Sequence, residues 1–251
     1  MISTLKSIFT ACAQAVTQGE LIQRVSKKDK EFSFQNWFGV RLDELGLNVD
    51  EPSRNAYPDF RLVDYPIGFE IKGLGFPGRV ANYDCNSQVP SGIHNGRTIY
   101  YVFGRYPAKV KGKQYPVYDL VFCHGDFLNA DHDYVHKNKN IKGFGSYGDM
   151  MVRDRKMYVA PTPYALTTGT EREITLIVPD RSGDFTDLEE VGAFERVETD
   201  RLIRGYSFDM IEHTLEPRFI PNPNGGVSHP FKAYRAFGKD LPRVEMRSDE
   251  A

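Results

Sequence analysis

The hydrophobic positions of the chain change period several times, and each change marks a predicted element. Leu5, Ile8, Phe9, Cys12 and Val16 recur at helical spacing behind Ser3, a candidate N-cap, and the stripe stops near Gly19. After a polar, basic stretch, Phe34, Phe38, Leu42 and Leu45 define a second amphipathic helix over about 32–45, closed by Gly46. The period then shortens to two. Phe60 and Leu62 share one face of a short strand, Pro66 and Gly68 mark a turn, and Phe69 and Ile71 alternate with Glu70 and Lys72 on a second strand. Residues 73–97 are glycine-rich without a helical or strand period, a long loop of the kind that is usually functional. Buried strands are predicted over 98–107 and 115–128, and strand-like runs start at Met157 and Glu173. Residues 129–156 read as a surface excursion, a helix is predicted from about Asp187 to Val197, and the chain ends in a charged, frayed tail. The pattern is that of an α/β fold in a single domain over 1–251, with a core at about 31–180 and an irregular cap at about 181–251.

Composition changes this picture little. A chain of 251 residues can bury a full core, and 40% hydrophobic with 26% charged residues is ordinary for a globular protein. With no run of 18 apolar residues and an N-terminal segment too amphipathic for a secretory signal, the expectation is a cytoplasmic protein with no membrane partner. The three cysteines, Cys12, Cys85 and Cys123, form no CxxC pair, so they read as reduced structural thiols rather than a disulfide framework or zinc knuckle. A net charge of -2 argues against non-specific coating of nucleic acid, but the charge is unevenly spread. Positive residues gather at Arg105, Lys109, Lys111 and Lys113 and again over 137–156, and negative ones over 184–200. That layout suits one side facing a polyanion; a solvated charged surface is the plainer alternative.

The hairpin at 57–73 carries the chemistry. Burying Phe69 and Ile71 turns Glu70 and Lys72 to the opposite face, and a paired strand beginning at Asp59 brings a second carboxylate to the same rim. Phosphodiester hydrolysis needs a divalent cation on hard oxygen ligands, an activated water and positive charge against the developing phosphorane. Asp59 and Glu70 supply the oxygens, the Ile71 carbonyl between Glu70 and Lys72 offers a third ligand, and Lys72 fits beside the attacking water. The letters alone recur by chance. Their weight comes from context, since ten residues and a Pro/Gly turn separate Asp59 from Glu70 and the flanking apolar positions alternate as a strand pair requires. Other constellations weigh less. His132 and His136 stand at spacing four but lack a third ligand, Pro77 interrupts the glycine-rich run after Gly73, and adjacent Cys123 and His124 point to opposite faces of a strand.

Pro58, Asp59, Glu70, Ile71 and Lys72 resemble the PD-(D/E)xK nuclease motif, and the upstream helix FQNWF resembles the first helix of that fold. The resemblance covers residues 31–105 and, with long aromatic and basic loops, is strongest to type II restriction endonucleases. It implies a restriction-endonuclease-like mixed central sheet flanked by helices, with long loop excursions. On the helix it implies a fourth active-site residue, which Gln35 matches best, with Glu31 and Glu44 as rivals. It further implies Mg2+-dependent, sequence-specific cleavage of double-stranded DNA to 5′-phosphate and 3′-hydroxyl ends by a homodimer. Base readout would fall to loop residues Asn86, Ser87, Gln88, Ser91, His94 and Arg97, with Arg153, Arg155 and Lys156 in the second basic stretch. A repair or phage nuclease on the same core, and a DNA-binding module with a merely structural hairpin, remain alternatives.

Overall fold

A computed structural model describes residues 1–25, 30–50, 57–78, 80–86, 88–110, 112–130, 145–150, 158–170 and 173–236. In chain order the principal elements are α1 (Ile2–Thr17), α2 (Lys30–Glu44), β1 (Phe60–Leu62), β2 (Ile67–Phe76), β3 (Asn82–Asn86), β4 (Arg97–Pro107) and β5 (Asp119–His124). They continue with β6 (Tyr158–Pro161), the single turn α3 (Pro163–Leu166), β7 (Ile174–Pro179), β8 (Glu189–Val197), β9 (Arg201–Asp209), β10 (Thr214–Pro221) and β11 (Ser228–Arg235). The fold is mixed α/β with one large mixed sheet and few helices. Among the described residues no helix is long and apolar enough to cross a membrane.

Both predicted helices form, with shifted ends. Helix α1 begins two residues earlier than a Ser3 cap requires, with Met1 at its N-cap, and it runs out before Gly19 at φ +77. Leu5, Ile8, Phe9, Cys12 and Val16 are buried as their spacing predicts. In α2, Phe34, Phe38 and Leu42 are fully buried, but Leu45 lies beyond the last helical residue and is exposed.

The large sheet runs in the order β8, β11, β7, β5, β4, β2, β1 and the short strand Val49–Asp50, with Ile93–His94 paired to β4. Strand pairs β2–β4 and β5–β7 are parallel and the remainder antiparallel. Side-chain alternation divides the core between the two faces. Phe69, Ile71, Val102, Phe122 and Leu176 face α1 and α2, and Phe38 packs with ring centroids 5.3 Å from Phe69, 5.5 Å from Phe60 and 6.1 Å from Phe122. Gly104 permits this docking, since a Cβ there would run into the Phe34 ring. Tyr101, Phe103, Val121, Cys123 and Ile177 point the other way and are covered by the β3–β6 ladder and by Phe127 and Phe231.

Three expectations are corrected. The segment 73–97 is not irregular, because β2 continues to Phe76 in register with β4 and β3 pairs with β6. The predicted helix at 187–197 is instead strand β8, paired along its length with β11. Val191 and Phe194 stand three apart, which suits a helix locally; the ladder offered by β11, distant in sequence, overrides that preference. The segment after residue 181 is likewise not an irregular cap, since β11 lies between β8 and β7 within the main sheet.

Candidate active site

Strand β1 ends the sheet ladder early. Its pairing with β2 covers Phe60↔Phe69 and Arg61↔Gly68, so among the described residues no strand pairs with β2 on that side from Glu70 onward. Where the ladder stops, a side chain takes over: Asp59 Oδ2 accepts the Ile71 N–H at 2.8 Å. Gly68 belongs to the same construction, since a Cβ there would meet Pro58 Cγ at 2.6 Å. The Asp59 carboxylate is thereby fixed against the backbone between Glu70 and Lys72.

Glu70 and Lys72 share the face opposite the helices, and their side chains, each 13% exposed, form an ion pair of 2.7 Å through Glu70 Oε1. Glu70 Oε2 is buried with no hydrogen-bond partner. The first turn of α2 adds Glu31, whose Oε1 lies 3.5 Å from Lys72 Nζ. Three carboxylates therefore surround one ammonium. Burial, then the charge of Glu70, pushes the Asp59 carboxyl up to about 7, against the lowering effect of Lys72 and the Ile71 N–H. For Lys72, burial disfavours the ammonium, but Glu70, Glu31 and Asp59 outweigh it and hold the group above the ordinary lysine value.

Aromatic side chains wall the cluster. Tyr57 and Tyr101 join their hydroxyls at 3.0 Å, and burial followed by the field of Glu70 raises the Tyr57 pKa above its usual value. Tyr83 packs edge-on to Phe103 at 5.0 Å, and the nearby Cys85 thiol is pushed up to about 12, chiefly by burial. All three cysteines are buried and free.

The structure thus brings Asp59, Glu70, Ile71 and Lys72 together. Gln35 makes no hydrogen bond to any of them; Glu31, one turn earlier on the same helix, is the residue paired with Lys72. Its spacing of three to Phe34 and seven to Phe38 was the available signal. Glu44, the other rival, instead pairs with Arg41.

The residues expected to read bases are dispersed. Ser91 is buried at 4% exposure, donating to the Ile93 carbonyl, so it lies inside the fold. Arg97 donates to the carbonyls of Leu62 and Tyr65 at 2.6 and 3.0 Å, fastening the hairpin turn. Gln88 donates to the adjacent Val89 carbonyl, and His94 packs edge-on against Tyr57 at 4.8 Å with its pKa lowered by burial and by Arg61. The backbone of Asn86 ends β3, while Ser87, Arg153, Arg155 and Lys156 lie outside the described residues. Arg105, counted above with the positive patch, is buried in an ion pair with Asp119.

Among the described residues no group of three or more His, Cys, Asp and Glu side chains gathers at metal-ligand spacing. The donors still fit a hard cation. Surplus negative charge, the unpartnered Glu70 oxygen and the raised Asp59 carboxyl would all be relieved by one, and Mg2+ is commonly held by one or two carboxylates with water and phosphate completing its shell. Comparison with known proteins returns nothing: no protein family, no curated protein and no solved structure matches the chain.

Proposed function

We propose that the chain is a Mg2+-dependent endodeoxyribonuclease with a restriction-endonuclease-like core, cutting double-stranded DNA at specific sequences to 5′-phosphate and 3′-hydroxyl ends. One observation carries this reading: Asp59, Glu70 and Lys72 converge where the β1–β2 ladder ends, leaving a buried Glu70 oxygen without a partner. The order of helix, hairpin and parallel strand supports the finer fold assignment.

Asp59, Glu70 and the Ile71 carbonyl would hold the cation, which supplies Lewis-acid polarisation of the phosphate and a water acidic enough to attack near neutral pH. Lys72 remains an ammonium among three carboxylates, so its role is electrostatic: it orients the attacking water and offsets charge on the phosphorane. Glu31 acts as a positioning residue that steadies Lys72 from the helix side. The Tyr57–Tyr101 wall limits water around the charges and strengthens their fields.

Incubation of the purified protein with unmethylated plasmid and Mg2+ tests the assignment. Discrete fragments with 5′-phosphate ends are the expected result. Nicking or a smear would assign the core to a repair-type nuclease, and intact DNA retained by the protein would reduce it to a binding module. Asp59→Ala and Lys72→Ala are expected to abolish cutting while DNA binding in Ca2+ persists.

A further inference from the structure

The cluster at Asp59, Glu70 and Lys72 carries surplus negative charge, as a phosphodiester backbone does, so a strand laid across it needs a fixed cation close by. Lys72 is enclosed at 13% exposure and already paired with Glu70 and Glu31. Register supplies a second cation. Arg61 is the cross-strand partner of Gly68, and Phe60 faces the helices together with Phe69, so Arg61 stands on the sheet face of Glu70 and Lys72. It lies two residues along the chain from Asp59, about 7 Å in an extended strand, which is comparable with the separation of neighbouring phosphates on one nucleic-acid strand.

The Arg61 guanidinium is oriented but not used up. Its Nη2 donates to the Tyr57 carbonyl at 3.1 Å, tying the side chain to a residue that walls the site. Its Nη1 lies 3.6 Å from Asp50 Oδ2, a long pair to a carboxylate that is 60% exposed, and exposed pairs of this kind contribute little. A phosphate oxygen, harder to screen and richer in acceptor sites, can take the place of Asp50. His94 and Arg97 are cross-strand partners on the same face, but neither supplies the charge. Burial and then Arg61 itself lower the His94 pKa, and the Arg97 Nη1 is engaged by the carbonyls of Leu62 and Tyr65. We propose that Arg61 binds the backbone phosphate next to the scissile one, exchanging Asp50 for it. The inference rests on the nuclease reading for what lies beside this phosphate, and the contact, being to the backbone, carries no sequence information.

Anisotropy titrations of the full chain with two short DNA duplexes of unrelated sequence, in Ca2+ and between about 50 and 200 mM salt, are the test. Arg61→Gln is expected to weaken binding to both duplexes by about tenfold at the lowest salt and to reduce the slope of log affinity against log salt by about one. Arg61→Lys, which keeps the charge and loses the fork, is expected to keep the slope. Asp50→Asn is expected to tighten binding by about threefold, and by less in the Arg61→Gln background, since it acts by releasing the guanidinium. An unchanged slope in Arg61→Gln, a slope lost equally in Arg61→Lys, or the same gain from Asp50→Asn in both backgrounds would each overturn the proposal. Cutting in Mg2+ is read separately: an Arg61-dependent slope in a chain that cuts nothing would overturn the nuclease reading alone, and cutting with a slope indifferent to Arg61 would overturn the phosphate site alone.

Discussion

Two buried charge clusters lie on the same face of the sheet, separated by two residues along neighbouring strands, and they are built to opposite ends. In the parallel register of β2 and β4, Lys72 lies beside Phe103 and Leu74 beside Arg105. Arg105 and Asp119 are direct cross-strand partners, the Arg105 Nε lying 2.9 Å from both carboxylate oxygens. Tyr164 donates a further hydrogen bond to Asp119 at 2.7 Å, and the rings of Phe76 and Tyr164 sandwich the guanidinium at 4.9 and 4.6 Å. One positive charge meets one negative charge, and neither side chain is among those with an unpartnered buried atom. At Asp59, Glu70, Glu31 and Lys72 the count is three to one, and an oxygen is left over. The first arrangement is closed and holds strands β4 and β5 together; the second carries surplus negative charge. Surplus charge, rather than burial, separates a site from a strut.

The sharpest way to break this comparison is to remove one member of each cluster. Glu70→Ala is expected to lower the cleavage rate by about 1,000-fold or more with little change in unfolding temperature, since it removes one of three carboxylates, and Lys72→Ala to lower both rate and stability, read by single-turnover kinetics and thermal melts. Cutting at the wild-type rate by Lys72→Ala would place the chemistry elsewhere. Arg105→Met should do the reverse, costing about 3–5 kcal/mol of stability by stranding a buried carboxylate while sparing the rate per folded molecule. Adding Asp119→Leu should recover most of that loss in denaturant titrations, as expected for a closed pair.

A smaller effect concerns pH. The Asp59 carboxyl is raised from 3.8 to about 7, so between these values the folded chain binds a proton that the unfolded chain has released. Its contribution to stability is therefore full below the unfolded value and is lost as pH rises through 7. In the absence of divalent cations, Asp59→Asn is expected to exceed the wild type in stability by on the order of 2 kcal/mol at pH 8, with the gap closing toward pH 4. Mg2+ should raise the melting temperature of the wild type at pH 8 but not that of this variant. Equal pH profiles for the two proteins would show that neither burial nor Glu70 raises the Asp59 carboxyl. The finest distinction lies on the helix, where Glu31→Gln should slow cleavage by about tenfold and Gln35→Ala by no more than about twofold. The opposite order would return the fourth position to Gln35.

Much of the candidate site was legible in the chain because a strand period is a local property. Phe69 and Ile71 inward, with Glu70 and Lys72 opposite, follows from alternation alone, and the turn at 63–66 brings Asp59 back beside them. Helix α2 was legible for the same reason, through Phe34, Phe38 and Leu42. What stayed hidden depended on partners far away in sequence. Arg105 resembled part of a basic patch until Asp119, on the next strand, neutralised it. Ser91 and Arg97 looked like loop donors until the Ile93 carbonyl and the hairpin-turn carbonyls claimed them. Segment 187–197 offered a plausible helix until β11 supplied a ladder.

By itself, then, the sequence determined the two amphipathic helices, the β1–β2 hairpin and the face on which its charges stand, because each rests on contacts between near neighbours. Tertiary structure decided that Glu31 rather than Gln35 meets Lys72, that the last strands complete the sheet, and that one buried charge cluster is neutral while the other is not. Those outcomes depend on which strands and helix ends are adjacent in space, and ion pairs and ladders reach across sequence distances that no local period encodes.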